Sequence, residues 1–225
     1  MRLAILDADT LGDDISLELF DSLGEVKKYG MTPADKVSER ISDCDAVVVN
    51  KIRLFEDNLK NALQLKLICI TATGYDNIDV DYCRRKGIAV CNVAAYSTDS
   101  VMQLTVSLVL SLVNHISEYD SYVKSGKYTH SGVQNYLKPC FHEISSMTWG
   151  IVGFGSIGKR VADAAGALGA RVLINRRTRG NDTVDIDELC KKSDIITIHT
   201  PLTADTEHLI GKKQISVMKK GVVIV

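Results

Sequence analysis

Apolar residues fall along this chain in short runs of four or five, separated by stretches with helical spacing. Residues 3–6, 26–29, 46–49, 67–71 and 88–91 read as strands. Between them, residues 11–23, 33–41, 56–62 and 79–86 repeat apolar positions every three to four residues, as helices do, with Thr32 a candidate N-cap for the second. The runs at 46–49 and 67–71 are apolar but for Thr71 at the end of the second, the mark of strands covered on both faces. This alternation predicts a parallel sheet with helices on both sides.

The pattern then changes. Residues 98–117 are apolar nearly all round, but with Gln103, the serines and Asn114 among them, too few are apolar to span a bilayer. A helix without a polar face is expected to be buried against protein on most sides. It is read here as the connection between two domains, 1–98 and 99–225. After an irregular stretch, 125–146, strand and helix alternate again: strands at 171–175, 195–199 and 222–225, helices at 186–191 and 212–218. Ending a buried parallel strand in a charged carboxylate is costly, so the chain is expected to be C-terminally incomplete.

Candidate chemistry begins at residues 149–158, Trp-Gly-Ile-Val-Gly-Phe-Gly-Ser-Ile-Gly, a strand running into G-x-G-x-x-G, with a helix expected over 159–170. Gly153 permits the tight turn, Gly155 lets phosphates approach the backbone, and Gly158 lets helix pack on strand. The free N–H groups at the helix start, at Ser156 and Ile157, then face a dinucleotide pyrophosphate, helped by the helix dipole. Where an acid normally follows the next strand to receive the ribose hydroxyls of NAD, this chain has Arg176, then Arg177 and Arg179. Guanidinium groups bind a 2′-phosphate that a carboxylate would repel, so NADP(H) is expected to be preferred, with NAD(H) possible.

Composition narrows the class without adding to the site. The net charge of −1 over 225 residues gives no pull toward nucleic acid or an anionic membrane. No basic run precedes an apolar one near Met1, so no signal peptide is expected. The six cysteines show no C-x-x-C spacing, which suits packed, reduced thiols and a cytoplasmic protein without disulfides. Tyr82 and Lys86 have the Tyr-x-x-x-Lys spacing of short-chain dehydrogenases, but they precede the glycine loop instead of following it; a solvated helical turn is the better account.

Several segments together resemble the D-isomer-specific 2-hydroxyacid dehydrogenase family. They are Ala72-Thr73-Gly74-Tyr75-Asp76-Asn77-Ile78-Asp79, the Tyr96-Ser97-Thr98-Asp99-Ser100 run, the glycine loop, Ser193-Asp194-Ile195-Ile196-Thr197-Ile198-His199-Thr200-Pro201-Leu202, and the final eight residues. The resemblance implies two Rossmann/flavodoxin-like parallel-sheet α/β domains: a substrate-binding domain, then a dinucleotide-binding domain lacking its C-terminal part. It implies hydride transfer between a nicotinamide and a small D-2-hydroxy acid or 2-oxo acid, of the glyoxylate or hydroxypyruvate type. The backbone N–H groups of Thr73 and Gly74 would hold the substrate carboxylate, Thr200 and Pro201 would line the adenosine side, and Val101 would lie near the nicotinamide. The family's catalytic arginine, carboxylate and histidine would fall beyond Val225, so no catalytic residue is assigned within the chain. A homodimer joined through the nucleotide domains is implied as well. The chain departs from the family at Arg176, at Ser146-Met147 and at Gln103-Leu104. The alternative is a non-catalytic NAD(P)-binding sensor or degenerate dehydrogenase, since every retained group serves binding. No metal site is expected.

Overall fold

The structure, a computed structural model, describes residues 1–178 and 180–225. Contacts divide it into two compact units, Met1–Tyr96 and Ser97–Val225. In the first, strands β1 (Arg2–Ile5), β2 (Glu25–Lys28), β3 (Ala46–Val49), β4 (Leu67–Ile70) and β5 (Ala89–Asn92) form a parallel sheet in the order β2-β1-β3-β4-β5. Helices α1 (Val37–Ile41), α2 (Glu56–Leu59) and α3 (Val80–Lys86) connect them.

The period of two in β1 explains the layering. Ala4 and Leu6 face one way, onto Val37, Ile41, Leu59 and Cys83. Leu3 and Ile5 face the other, with Leu17, Phe20 and Val26. All four residues of β3 are buried, as its unbroken apolar run requires.

The second unit opens with α4 (Thr98–Val113), α5 (Ile116–Lys124) and α6 (Lys127–His130). There follow β6 (Thr148–Val152), α7 (Ser156–Ala167), β7 (Arg171–Asn175), α8 (Ile186–Lys192), β8 (Ile195–Ile198), α9 (Lys212–Val217) and β9 (Val223–Ile224). The sheet order is β7-β6-β8-β9, all parallel. A single parallel bridge from Ile174 to Thr183 extends it outside β7. The order in which successive strands are added therefore reverses between β6 and β8, where doubly wound sheets open a crevice for ligands. Trp149 and Ile151 pack with Val109, Val161 and Ala165 on one face, and Val152, Leu173, Leu189 and Ile196 pack on the other.

Three expectations need correction. Residues 11–23 form no α-helix: Gly12, at φ +85°, interrupts the chain, and only a 3-10 stretch, Glu18–Leu23, follows. The stretch 125–146 is not wholly irregular, since it holds α6 and a 3-10 turn at Ile144–Ser146. The apolar segment 98–117 bends by 61° at its break, where His115 is left-handed at φ +50°. It is also not buried on most sides. Of α4 only Thr105, Val109 and Val113 are buried, while Leu104, Leu108 and Leu112 are 60%, 44% and 52% exposed. α4 packs one face on α7 and leaves the other open, because helix spacing puts its two apolar stripes on different sides. No single helix among the described residues is long and apolar enough to cross a membrane.

Candidate functional site

The crevice of the second unit is built from backbone outward. β6 runs into Gly153, whose φ of +91° is left-handed and whose N–H donates to the Asn175 carbonyl at 2.9 Å. A Cβ there would sit 2.7 Å from the carbonyl oxygen of His199 and 2.8 Å from Thr200 Cγ2, so the loops after β6 and β8 meet only over a glycine. A Cβ on Gly158 would collide with the Gly153 carbonyl, whereas Gly155 faces open space. The first intrahelical bond of α7 runs from the Lys159 N–H to the Gly155 carbonyl at 3.0 Å. Ser156, Ile157 and Gly158 therefore have N–H groups without an acceptor inside the helix. Neither a side-chain cap nor an acid occupies this first turn. By contrast α3 and α8 are capped by Asp79 and Asp185, which accept from Tyr82 N at 2.9 Å and Glu188 N at 3.0 Å.

In front of this turn lies a cavity of about 680 Å³, lined by Gly153 and Gly155, by Arg176, Arg177 and Thr178 at the end of β7, and by His199, Thr200 and Pro201 after β8. Donor-rich backbone at one side and cationic side chains at another suit a phosphorylated dinucleotide. The Arg176 guanidinium is already engaged: Nη2 donates to Asp182 Oδ1 at 2.9 Å, and its carbon lies 5.9 Å from the centre of the Phe154 ring. Its Nε is buried and has no partner among the described residues.

Gly153, Gly155, Arg176, Arg177, Thr200 and Pro201 thus border one cavity, with Ser156, Ile157 and Gly158 in the adjoining helical turn. Val101 does not line it; it is half-buried on α4, where its carbonyl accepts from Thr105 Oγ1 at 2.8 Å. Arg179 lies outside the described residues. Phe154 and His199 line the cavity without having been expected to. His199 Nε2 is buried and unpartnered among the described residues, and burial pushes its pKa below the usual 6.5. A polar side chain ending an apolar strand, just before Thr-Pro, was the signal available for it.

The first unit holds a separate, smaller cavity of about 340 Å³ at the ends of β3 and β4, lined by Asn50, Lys51, Arg53, Gly74, Asp76 and Asn77 among others. Asp7, 2% exposed, fixes its floor: its carboxylate accepts from Asn50 N at 2.9 Å, Lys51 N at 2.5 Å and Ile52 N at 3.2 Å. Asn77 closes the other side, donating to the Ile52 carbonyl at 2.9 Å. Gly74 lines this cavity; Thr73 does not, its hydroxyl donating to the Val93 carbonyl at 3.1 Å.

The NAD binding domain of D-isomer specific 2-hydroxyacid dehydrogenases matches residues 106–225, and their catalytic domain matches residues 4–152. The chain belongs to this family. A glycerate dehydrogenase from Methylorubrum extorquens is 32% identical over 225 residues, covering 100% of this chain and 71% of its own. An acyclic imino acid reductase, solved with NADPH and D-Arg, superposes with a TM-score of 0.87 at 27% identity, covering 100% of this chain and 73% of its own. D-lactate dehydrogenase from Aquifex aeolicus, solved with NAD and lactic acid, gives 0.85 at 29% identity, covering 100% and 68%. Family membership makes the second unit a nicotinamide dinucleotide-binding domain, and the cavity of about 680 Å³ in front of the uncapped start of α7 lies within it.

Proposed function

We propose that the protein is an NADP(H)-preferring D-2-hydroxyacid dehydrogenase that reduces small 2-oxo acids of the glyoxylate or hydroxypyruvate type. The observation that carries the reading is the cavity joining the uncapped start of α7 to Arg176 and Arg177. The N–H groups of Ser156, Ile157 and Gly158 hold the pyrophosphate. Arg176 and Arg177, with Arg179, receive the 2′-phosphate. Thr200 and Pro201 flank the adenosine side, and Val101 bounds the nicotinamide. The backbone of Thr73 and Gly74 holds the substrate carboxylate. When bound, the nicotinamide supplies a hydride at its C4 for the carbonyl carbon of the acid. The arginine, carboxylate and histidine that orient the carbonyl and move its proton are placed beyond Val225. A cytoplasmic setting and a homodimer joined through the nucleotide units complete the proposal. The name of the Methylorubrum relative supports the substrate class.

Charge-assisted hydrogen bonds contribute about 1.5–3 kcal/mol each, so one guanidinium contact discriminates roughly ten- to hundredfold between the cofactors. Arg176→Asp in the full-length enzyme is expected to shift the kcat/KM ratio for NADPH over NADH toward NADH by that amount. An unchanged ratio would remove the arginine from the site. The sensor reading draws on His199, whose unpartnered Nε2 and depressed pKa suit a neutral wall of the cavity, not an acid. Turnover of any 2-oxo acid by the full-length protein would dispose of it.

A further inference from the structure

Arg176 is not a free cation waiting at the cavity. Its Nη2 is held by Asp182 Oδ1 at 2.9 Å, six residues further along the same loop, and the two side chains are 34% and 53% exposed. The loop is anchored beneath them: Val184 N donates to the Ile174 carbonyl at 2.9 Å, and Asn175 Nδ2 donates back to the Val184 carbonyl at 2.9 Å. Thr183 pins Gly180, its hydroxyl donating to that carbonyl at 2.8 Å. Gly180 in turn makes room for the pair, since a Cβ there would lie 2.6 Å from Asp182 Oδ1 and 2.7 Å from Arg176 Nη2. The remaining edge of the guanidinium, at Nε, is buried with no partner among the described residues.

We infer that Asp182 is a specificity-determining residue: an internal carboxylate that occupies the Arg176 fork and competes with the 2′-phosphate of NADP for it. The inference rests on the proposal that Arg176 receives that phosphate. A phosphate approaching the Nε–Nη2 edge gives Nε its missing acceptor, but it must displace Asp182 or sit beside its negative charge. A 2′-hydroxyl carries no charge and meets no such opposition. Asp182 therefore lowers affinity for the phosphorylated cofactor alone, and holds the preference for NADP below what Arg176 would otherwise give.

The test uses the 225-residue chain with adenosine 2′,5′-bisphosphate and AMP as probes, followed by isothermal titration calorimetry. Asp182→Asn, at an exposed position, keeps the shape and removes the charge. It is expected to tighten the bisphosphate by roughly two- to fivefold, the worth of an exposed ion pair, and to leave AMP unchanged. Unchanged or weaker bisphosphate binding, or equal tightening of AMP, would overturn the inference. Arg176→Ala separates it from its premise. If that variant keeps the wild-type preference for the bisphosphate, the phosphate assignment of Arg176 itself falls; if the preference is lost while Asp182→Asn has no effect, only the competitor role falls.

Discussion

Single residues here carry costs that show in stability as well as binding. Trp149 is fully buried near the start of β6, and its side chain's one polar atom, Nε1, donates to Thr197 Oγ1 at 3.2 Å on the neighbouring strand β8. Thr197 is itself fully buried. Thr197→Val preserves volume and β-propensity but leaves the indole N–H with no acceptor and no water. A buried donor stranded in this way costs about 1–3 kcal/mol. The expected outcome is an unfolding free energy lower by that amount, read as a lower urea midpoint with an unchanged m-value, whereas Thr197→Ser, which keeps the hydroxyl, loses less. Equal losses in both variants would assign the effect to packing and not to the hydrogen bond. The hydroxyl–indole pair spans 48 positions, and nothing local in either strand announces it.

At the scale of elements, the end of β8 couples protonation to folding. His199 donates its backbone N–H to the Val152 carbonyl at 2.7 Å and keeps its ring half-buried. Burial holds its folded pKa below the ordinary 6.5. The unfolded chain therefore binds the proton more readily, so stability is unaffected above about pH 6.5 and falls as pH drops from 6.5 toward the folded value. His199→Gln is expected to lose less stability between pH 7.5 and 5.5 than the wild type in urea melts; parallel losses would place the titration elsewhere. The same element shows what sequence can convey. Strand positions were readable because buried parallel strands are apolar runs ended by polar or glycine residues, as β3 and β4 are. The glycine turn and Arg176 were readable because their chemistry is written in adjacent residues. Helix 11–23 was misread because its apolar spacing is real, with Leu17 and Phe20 packed on the sheet, while Gly12 prevents a continuous helix. Asp7 gripping amides 43 to 45 positions away left no pattern to read, and neither did the engagement of Arg176 by Asp182.

For the molecule as a whole, the open side of α4 bears on assembly. Leu104, Leu108 and Leu112 recur every four residues, so they form one stripe along the helix, and each is about half exposed or more. α5 continues with Ile116 and Val123 at 53% and 56% exposed. A contiguous apolar surface of this kind is kept from water in stable soluble proteins, most economically by a symmetry-related copy presenting the same stripe. This is the physical ground for the proposed homodimer. Light scattering after size exclusion is expected to give twice the 24.7 kDa mass of the chain. Leu108→Asp places a charge in the middle of the stripe, where a C2 interface meets it twice. The variant is expected to run at 24.7 kDa with an unchanged far-ultraviolet circular dichroism spectrum, because the residue is not among the buried ones of α4. A wild-type protein that runs at the monomer mass at every concentration would show that the leucine stripe has another occupant, and a dimer that survives Leu108→Asp would place the interface on a different face.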